Sequence, residues 1–307
     1  MKPDGVADMP PGRAVGVHIV ALSFTMKDTL GRTIRELADS AASAAVSYYD
    51  YDSMTSWSYH GDEWFHAAST IKVAVLLGLF GAVEDGRFGL RDRLHVRNRF
   101  FSLVDGRAFQ IGSSSDANES VHSSIGKLLR LRELGEHMIA TSSNLATNLL
   151  LDLVGVDYVN QTLARCDVRG VDLRRGVEDE AAFNAGLNNR ITSDGLVSTF
   201  RVIEDRAFFS PESCEAMLEI LRMQEFRRGI PAGLPDEIRT ETWFAHKTGE
   251  ISTVTHDAGL VYLPGRAPYA VAILTQWDSD VTDRRETVAA ISRAVFEHLM
   301  ESDMKEV

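Results

Sequence analysis

Apolar residues recur at two periods along this chain, and the change from one to the other predicts its organisation. Over Thr29–Ala42 they fall at Leu30, Ile34, Leu37, Ala38 and Ala41, the stripe of an amphipathic helix. Ala44–Asp50 and Ser56–Tyr59 then read as two strands of a hairpin through Tyr51-Asp52-Ser53-Met54. Val73–Phe80 is apolar on every side, so the helix that starts near Ser69 is expected to run through the core. Gly86 and Gly89 mark a turn. From Ser123 to Val154 the spacing of Leu128, Leu129, Leu131, Leu134 and Met138 predicts helix again. Cys166–Arg190 is polar and aperiodic, and so long a stretch within a compact domain is usually functional or disordered. Thr192 and Ser193 are candidate caps for a helix through Phe200.

The last third changes character. Trp243–Glu250, His256–Pro264 and Tyr269–Trp277 read as strands, and Asp283–Met300 as a helix burying Val288, Ile291, Val295 and Leu299. The expected fold is therefore α/β plus all-α. One five-stranded antiparallel sheet is flanked by the terminal helices on one face, and a helical subdomain is inserted. The expected division is an extension over 1–28, a discontinuous α/β unit over 29–66 and 213–307, and the helical unit over 67–212.

Composition narrows the function classes. A net charge of −12 argues against nucleic acid or an anionic membrane as the partner. Cys166 and Cys214 are too few for a disulfide framework, and free thiols are expected. Residues 1–14 lack the basic start of a secretory signal, and Val15–Phe24 is too short to cross a bilayer. The expectation is a cytoplasmic protein, or an exported one if the N-terminus was trimmed. Oligomeric state is left open.

Three short motifs carry the chemistry. Ser69-Thr70-Ile71-Lys72 puts a hydroxyl and an amine at i and i+3 of a buried helix start, one turn apart on one face. A desolvated neutral lysine can take the proton of a serine, which is otherwise a poor nucleophile. The bland alternative is an N-cap, the role expected of Ser124-Ile125-Gly126-Lys127. In Lys247-Thr248-Gly249, Lys247 and Gly249 share one face of a strand, where glycine admits a ligand backbone. A solvated lysine before a turn glycine is the alternative there. Ser142-Ser143-Asn144 lies at a helix junction, where Ser142 can relay a proton and Asn144 can hold an amide. A polar turn is again the alternative, and Asn148 is placed to brace a neighbouring loop.

Together these motifs resemble the Ser-x-x-Lys, Ser-Asp-Asn and Lys-Thr-Gly set of class A β-lactamases and penicillin-binding proteins. The resemblance extends through His66-Ala67-Ala68-Ser69-Thr70, Met138–Asp152 and Ile230-Pro231-Ala232-Gly233-Leu234-Pro235. It implies a serine hydrolase acylated at Ser69, with Lys72 as a candidate base and Ser142 as proton shuttle. Asn144, Lys247, Thr248 and Gly249 would bind substrate, and the N–H groups of Ser69 and Glu250 would form an oxyanion hole. The family's deacylating Glu-x-x-Leu-Asn is matched nearest by Glu180-Ala181-Ala182-Phe183-Asn184, with Glu178 and Asp179 as competitors. Ser143 stands where the family usually has aspartate. Glu250 puts an acid beside an anionic substrate, and the Glu250–His256 connection holds no arginine for a carboxylate.

No Gly-x-Ser-x-Gly elbow, His-Glu-x-x-His or phosphate-cradling glycine loop is present, so no cofactor or metal is expected. The leading expectation is β-lactam amide hydrolysis. Its rivals are a D,D-peptidase-like or small-ester hydrolase, and a non-catalytic descendant that only binds a ligand.

Overall fold

The computed structural model describes residues 29–303 except 115, 117, 279 and 280; the extension with the Val15–Phe24 run lies outside the described residues. Five strands form the central antiparallel sheet: β1 (Ser43–Asp50), β2 (Thr55–Tyr59), β3 (Trp243–Ile251), β4 (Val254–Tyr262) and β5 (Tyr269–Gln276). Their order is β3-β4-β5-β1-β2, so β3 is an edge strand. The N-terminal hairpin joins the C-terminal strands through β1 and β5, with Val46 opposite Ile273. Asp50 ties the tight turn after β1 by accepting from Ser53 N at 3.2 Å and Ser53 Oγ at 2.7 Å.

The longer helices are α1 (29–37), α2 (Lys72–Glu84), α3 (Leu131–Ala140), α4 (Asn144–Val154), α5 (Val156–Arg165), α6 (Ser193–Glu204), α7 (Pro211–Arg222) and α8 (Arg284–Asp303). Leu30 and Ile34 of α1 and Val288, Ile291, Val295 and Leu299 of α8 share one core with Val46, Val271 and Ile273. On the opposite face α6 lies across β1 and β5, and the other helices extend the second core from there. Covering both faces explains why β4 and β5 are buried almost throughout rather than on alternate residues.

Every residue of α2 from Lys72 to Ala82 is buried. A Cβ at Gly78 would stand 2.6 Å from Val159 Cγ2, and one at Gly81 2.9 Å from Thr162 Cγ2. These glycines let α2 and α5 approach closely, which fixes the depth at which Lys72 enters the core.

Two expected elements differ. Helix α1 stops at residue 37 rather than 42, because Ala42 N already bonds Gln276 O at 2.9 Å and draws the chain into the sheet. Leu128–Arg130 is a short strand paired with Arg93–His95, not helix. Gly126 turns the chain with φ +87°, and Ser124 donates to Ser120 O instead of capping a helix. Strand pairing here overrides helical spacing. Cys166 and Cys214 are both free thiols.

Candidate active site

Ser69 sits in a 3-10 turn, Ala68–Ile71, that leads straight into α2. Ala68 has φ +45°, and its N–H donates to His66 Nδ1 at 3.1 Å. Thr70 is buried and returns its hydroxyl to Ala67 O at 2.6 Å. The turn packs against β3 with no side chain between: a Cβ at Gly249 would meet Ser69 N at 3.1 Å and Thr70 Cγ2 at 2.9 Å. Ser69 is thereby held at the free edge of the sheet, in a cleft of about 1080 Å³.

Lys72 lies directly behind it and is fully buried. Its Nζ is 3.0 Å from Ser69 Oγ, 3.0 Å from Ser142 Oγ, 2.7 Å from Ser142 O and 2.8 Å from Asn144 Oδ1. The carbonyl and amide oxygens can only accept, so between them they take two N–H bonds. A neutral amine then keeps one lone pair for a hydroxyl proton, and two hydroxyls stand beside it. Burial lowers the Lys72 amine to about 7, against the opposing charges of Asp116 and Glu178.

Lys247, also fully buried, donates to Thr248 O at 2.9 Å. Burial lowers its amine well below the usual lysine value, and the charge on Lys72 lowers it further. Thr248, Gly249 and Glu250 continue β3 along the cleft.

The second motif joins α3 to α4. Ser142 adopts φ +61°, a left-handed conformation costing about 1–3 kcal/mol, which turns both its carbonyl and its hydroxyl onto Lys72. Ser143 is the N-cap of α4, accepting from Ala146 N at 3.1 Å. Asn144 receives Lys72 on Oδ1 and donates through Nδ2 to Glu178 Oε1 at 3.0 Å.

Of the acids of the long loop, it is Glu178, one of the competitors to Glu180, that bonds to the Lys72–Asn144 cluster. Glu178 adopts φ +61°. The loop before it is braced by Asn148, which donates to Val177 O at 2.9 Å and accepts from Val177 N at 2.8 Å. Asp179 is consumed structurally, accepting from Ala182 N at 3.0 Å and Leu103 N at 3.2 Å. Glu180 begins the short helix Glu180–Asn184, exposed on the rim of the cleft. The acids of this loop are placed by distant anchors, which local resemblance does not record.

Two departures noted in the sequence resolve in three dimensions. Glu250 is ion-paired, accepting from Arg285 Nε at 2.7 Å with Arg284 at 3.8 Å, so α8 supplies the countercharge. Arginines also reach the cleft from elsewhere, as Arg175, Arg227 and Arg228. His256 donates from Nε2 to His66 O at 3.0 Å and accepts on Nδ1 from Thr275 N at 3.2 Å. Burial pulls it down to about 4, so it stands neutral and offers no cation to a ligand. Its neighbour Asp257 faces the other side of β4, 2.9 Å from His246 Nδ1, and no Ser-His-Asp relay exists there. Among the described residues no cluster suited to a metal ion occurs, and no helix is long and apolar enough to cross a membrane.

A serine hydroxyl bonded to a desolvated lysine, set between an edge strand and a helical lobe, defines a serine hydrolase of the class A β-lactamase type. The chain belongs to the Beta-lactamase enzyme family, whose model matches residues 29–299. It is 25% identical over 291 residues to a β-lactamase of Rhodobacter capsulatus, covering 92% of this chain and 94% of that one. A PBP-A variant captured as an acyl-enzyme with penicillin G is 25% identical, with a TM-score of 0.74 over 95% of this chain and all (100%) of that one. The β-lactamase of Sphaerobacter thermophilus matches with a TM-score of 0.74 at 25% identity, over 88% of this chain and 96% of that one. The class A β-lactamase of Mycobacterium abscessus, at 20% identity and a TM-score of 0.75 over 90% and 99%, shares the fold.

Proposed function

We propose that this protein hydrolyses the amide of β-lactams through an acyl-enzyme at Ser69. The observation that carries the reading is the coordination of Lys72, whose two obligate acceptors leave a lone pair facing Ser69. Neutral Lys72 takes the hydroxyl proton as Ser69 Oγ bonds to the lactam carbonyl carbon. Charge develops on the carbonyl oxygen, which the N–H groups of Ser69 and Glu250 stabilise; losing one such donor typically costs about 3–4 kcal/mol. The C–N bond then breaks, and the ring nitrogen takes its proton from Ser142, which Lys72 resupplies. Asn144 and Thr248, on the cleft wall, orient the substrate, and buried Lys247 supports Thr248 from behind. Gly249 keeps β3 close to the nucleophile. For deacylation we assign Glu178 as the base that takes a proton from water as it attacks the ester carbon; the C–Oγ bond then breaks and that proton passes to Ser69 Oγ, restoring both residues.

The test is incubation with a chromogenic cephalosporin while the protein mass is followed. Turnover with a transient adduct that disappears in Ser69→Ala is expected. A persistent adduct on Ser69 would move the protein to the penicillin-binding type, and neither turnover nor adduct would overturn the β-lactam reading.

A further inference from the structure

Ser143 leaves the second motif without an acid, yet a carboxylate does stand at the junction, contributed by a loop 27 residues earlier in the chain. Asp116 is buried, and its two oxygens meet five donors. Oδ1 accepts from Asn118 N at 3.2 Å and Asn144 N at 3.2 Å. Oδ2 accepts from Leu145 N at 2.9 Å, Ser143 Oγ at 3.1 Å and His122 Nε2 at 3.2 Å. Three of these donors belong to the first turn of α4, whose backbone N–H groups have no partner within the helix. A single anion therefore caps α4 and orients Asn144 at the same moment.

From this geometry we propose that Asp116 is a positioning residue for acyl transfer: it holds the Ser142–Asn144 junction against Lys72 and places a fixed negative charge behind the amine. The proposal rests on the acyl-transfer reading, since it concerns how that site is held. Ser143 is the link rather than a substitute, accepting from Ala146 N at 3.1 Å while donating to Asp116. The other groups around Asp116 are His122 and, through Asn118 Nδ2 at 2.9 Å, His137. Those around Lys72 are Asp116, Glu178 and Lys247, of which the two acids favour its charged form.

The experiment compares the parent with Asp116→Asn and with Asp116→Asn/Ser143→Asp, which returns a carboxylate to the cap position, where aspartate is favoured. Acylation rate against pH, the Lys72 titration followed by NMR of 13C-labelled lysine, and the melting temperature are read for each. Asp116→Asn is expected to slow acylation roughly 10- to 100-fold, because Asn144 loses its orientation. It should also move the Lys72 midpoint and the acid limb of the rate to lower pH, because an anion that favours the ammonium is gone. The double variant should recover most of the rate. A lower melting temperature with the parent's rate and Lys72 midpoint would mark Asp116 as merely structural and overturn the proposal, as would a double variant no faster than the single one. The Lys72 titration is read without substrate, so it judges Asp116 even if the parent opens no β-lactam.

Discussion

Lys72 Nζ and Asn144 Oδ1 stand 2.8 Å apart, and this contact joins the first motif to the second across the floor of the cleft. The amide oxygen takes an N–H without adding charge, so Lys72 stays near neutrality while its direction is fixed. Asn144→Asp would replace it with a carboxylate at the same distance and hold the amine as ammonium. Acylation at pH 7 is expected to fall at least about 10-fold and to recover as pH is raised, with the acid limb moved up. A pH profile of the acylation rate in stopped flow checks this.

The parent's acylation rate is expected to rise with pH through about 7, the value to which burial lowers Lys72. The same shift makes a stability prediction. Lys72 titrates near 10.5 unfolded and about 7 folded, so between those values the unfolded chain binds more protons, and stability rises with pH. The charged-amine penalty is full below pH 7 and is relieved by pH 10.5, amounting to roughly 5 kcal/mol in total. Relative to Lys72→Met, the parent should therefore gain stability from pH 6 to 9 in urea titrations. A gap that does not change with pH would mean the folded amine is not depressed.

Glu178→Gln should accumulate an acyl-enzyme on Ser69, with deacylation slowed roughly 10²- to 10⁴-fold, the usual worth of a positioned base. Glu180→Ala should deacylate within about twofold of the parent, because the acid bonded to Asn144 is Glu178. Intact-protein mass spectrometry after mixing with penicillin distinguishes the two, and the reverse pattern would return the role to Glu180.

Gly249→Val would drive a branched side chain into Thr70 Cγ2 and Ser69 N, 2.9 Å and 3.1 Å from the Cβ position. The strand must move off the 3-10 turn, separating the two proposed oxyanion donors. We expect acylation to fall roughly 10²- to 10³-fold. Active-site titration combined with thermal melting measures both consequences.

Deep in α2, Leu76→Ala removes a fully buried side chain and should cost about 2–5 kcal/mol of stability in denaturant unfolding. The acid limb of the acylation rate should stay near 7, because Lys72 itself is not touched.

Local rules made much of this protein legible before any coordinates. The apolar sweep of Val73–Phe80 announced a central helix, since only complete burial tolerates such a run. The hairpin at Tyr51–Met54 and the three C-terminal strands follow from turn residues and β-rich runs, and their pairing into one sheet follows from the need to bury both faces. The motif order named Ser69, Lys72, Ser142, Asn144 and Lys247, and in the fold Lys72 touches Ser69, Ser142 and Asn144 directly.

Tertiary structure alone decided which charges face these groups. Nothing local distinguishes Glu178 from Glu180; Asn148 gripping Val177 and Asn144 lying opposite bring Glu178 to the cluster. Arg285 reaches Glu250 from a helix 35 residues on, and Asp116 reaches α4 from a loop that belongs to no motif. The serine at 143 was the sole signal that an acid had to arrive from elsewhere. Periodicity and turn chemistry act between neighbours in sequence, so a chain reveals its helices and strands. An electrostatic environment is a sum over residues brought together only by folding, and it exists only once the chain has closed around the cleft.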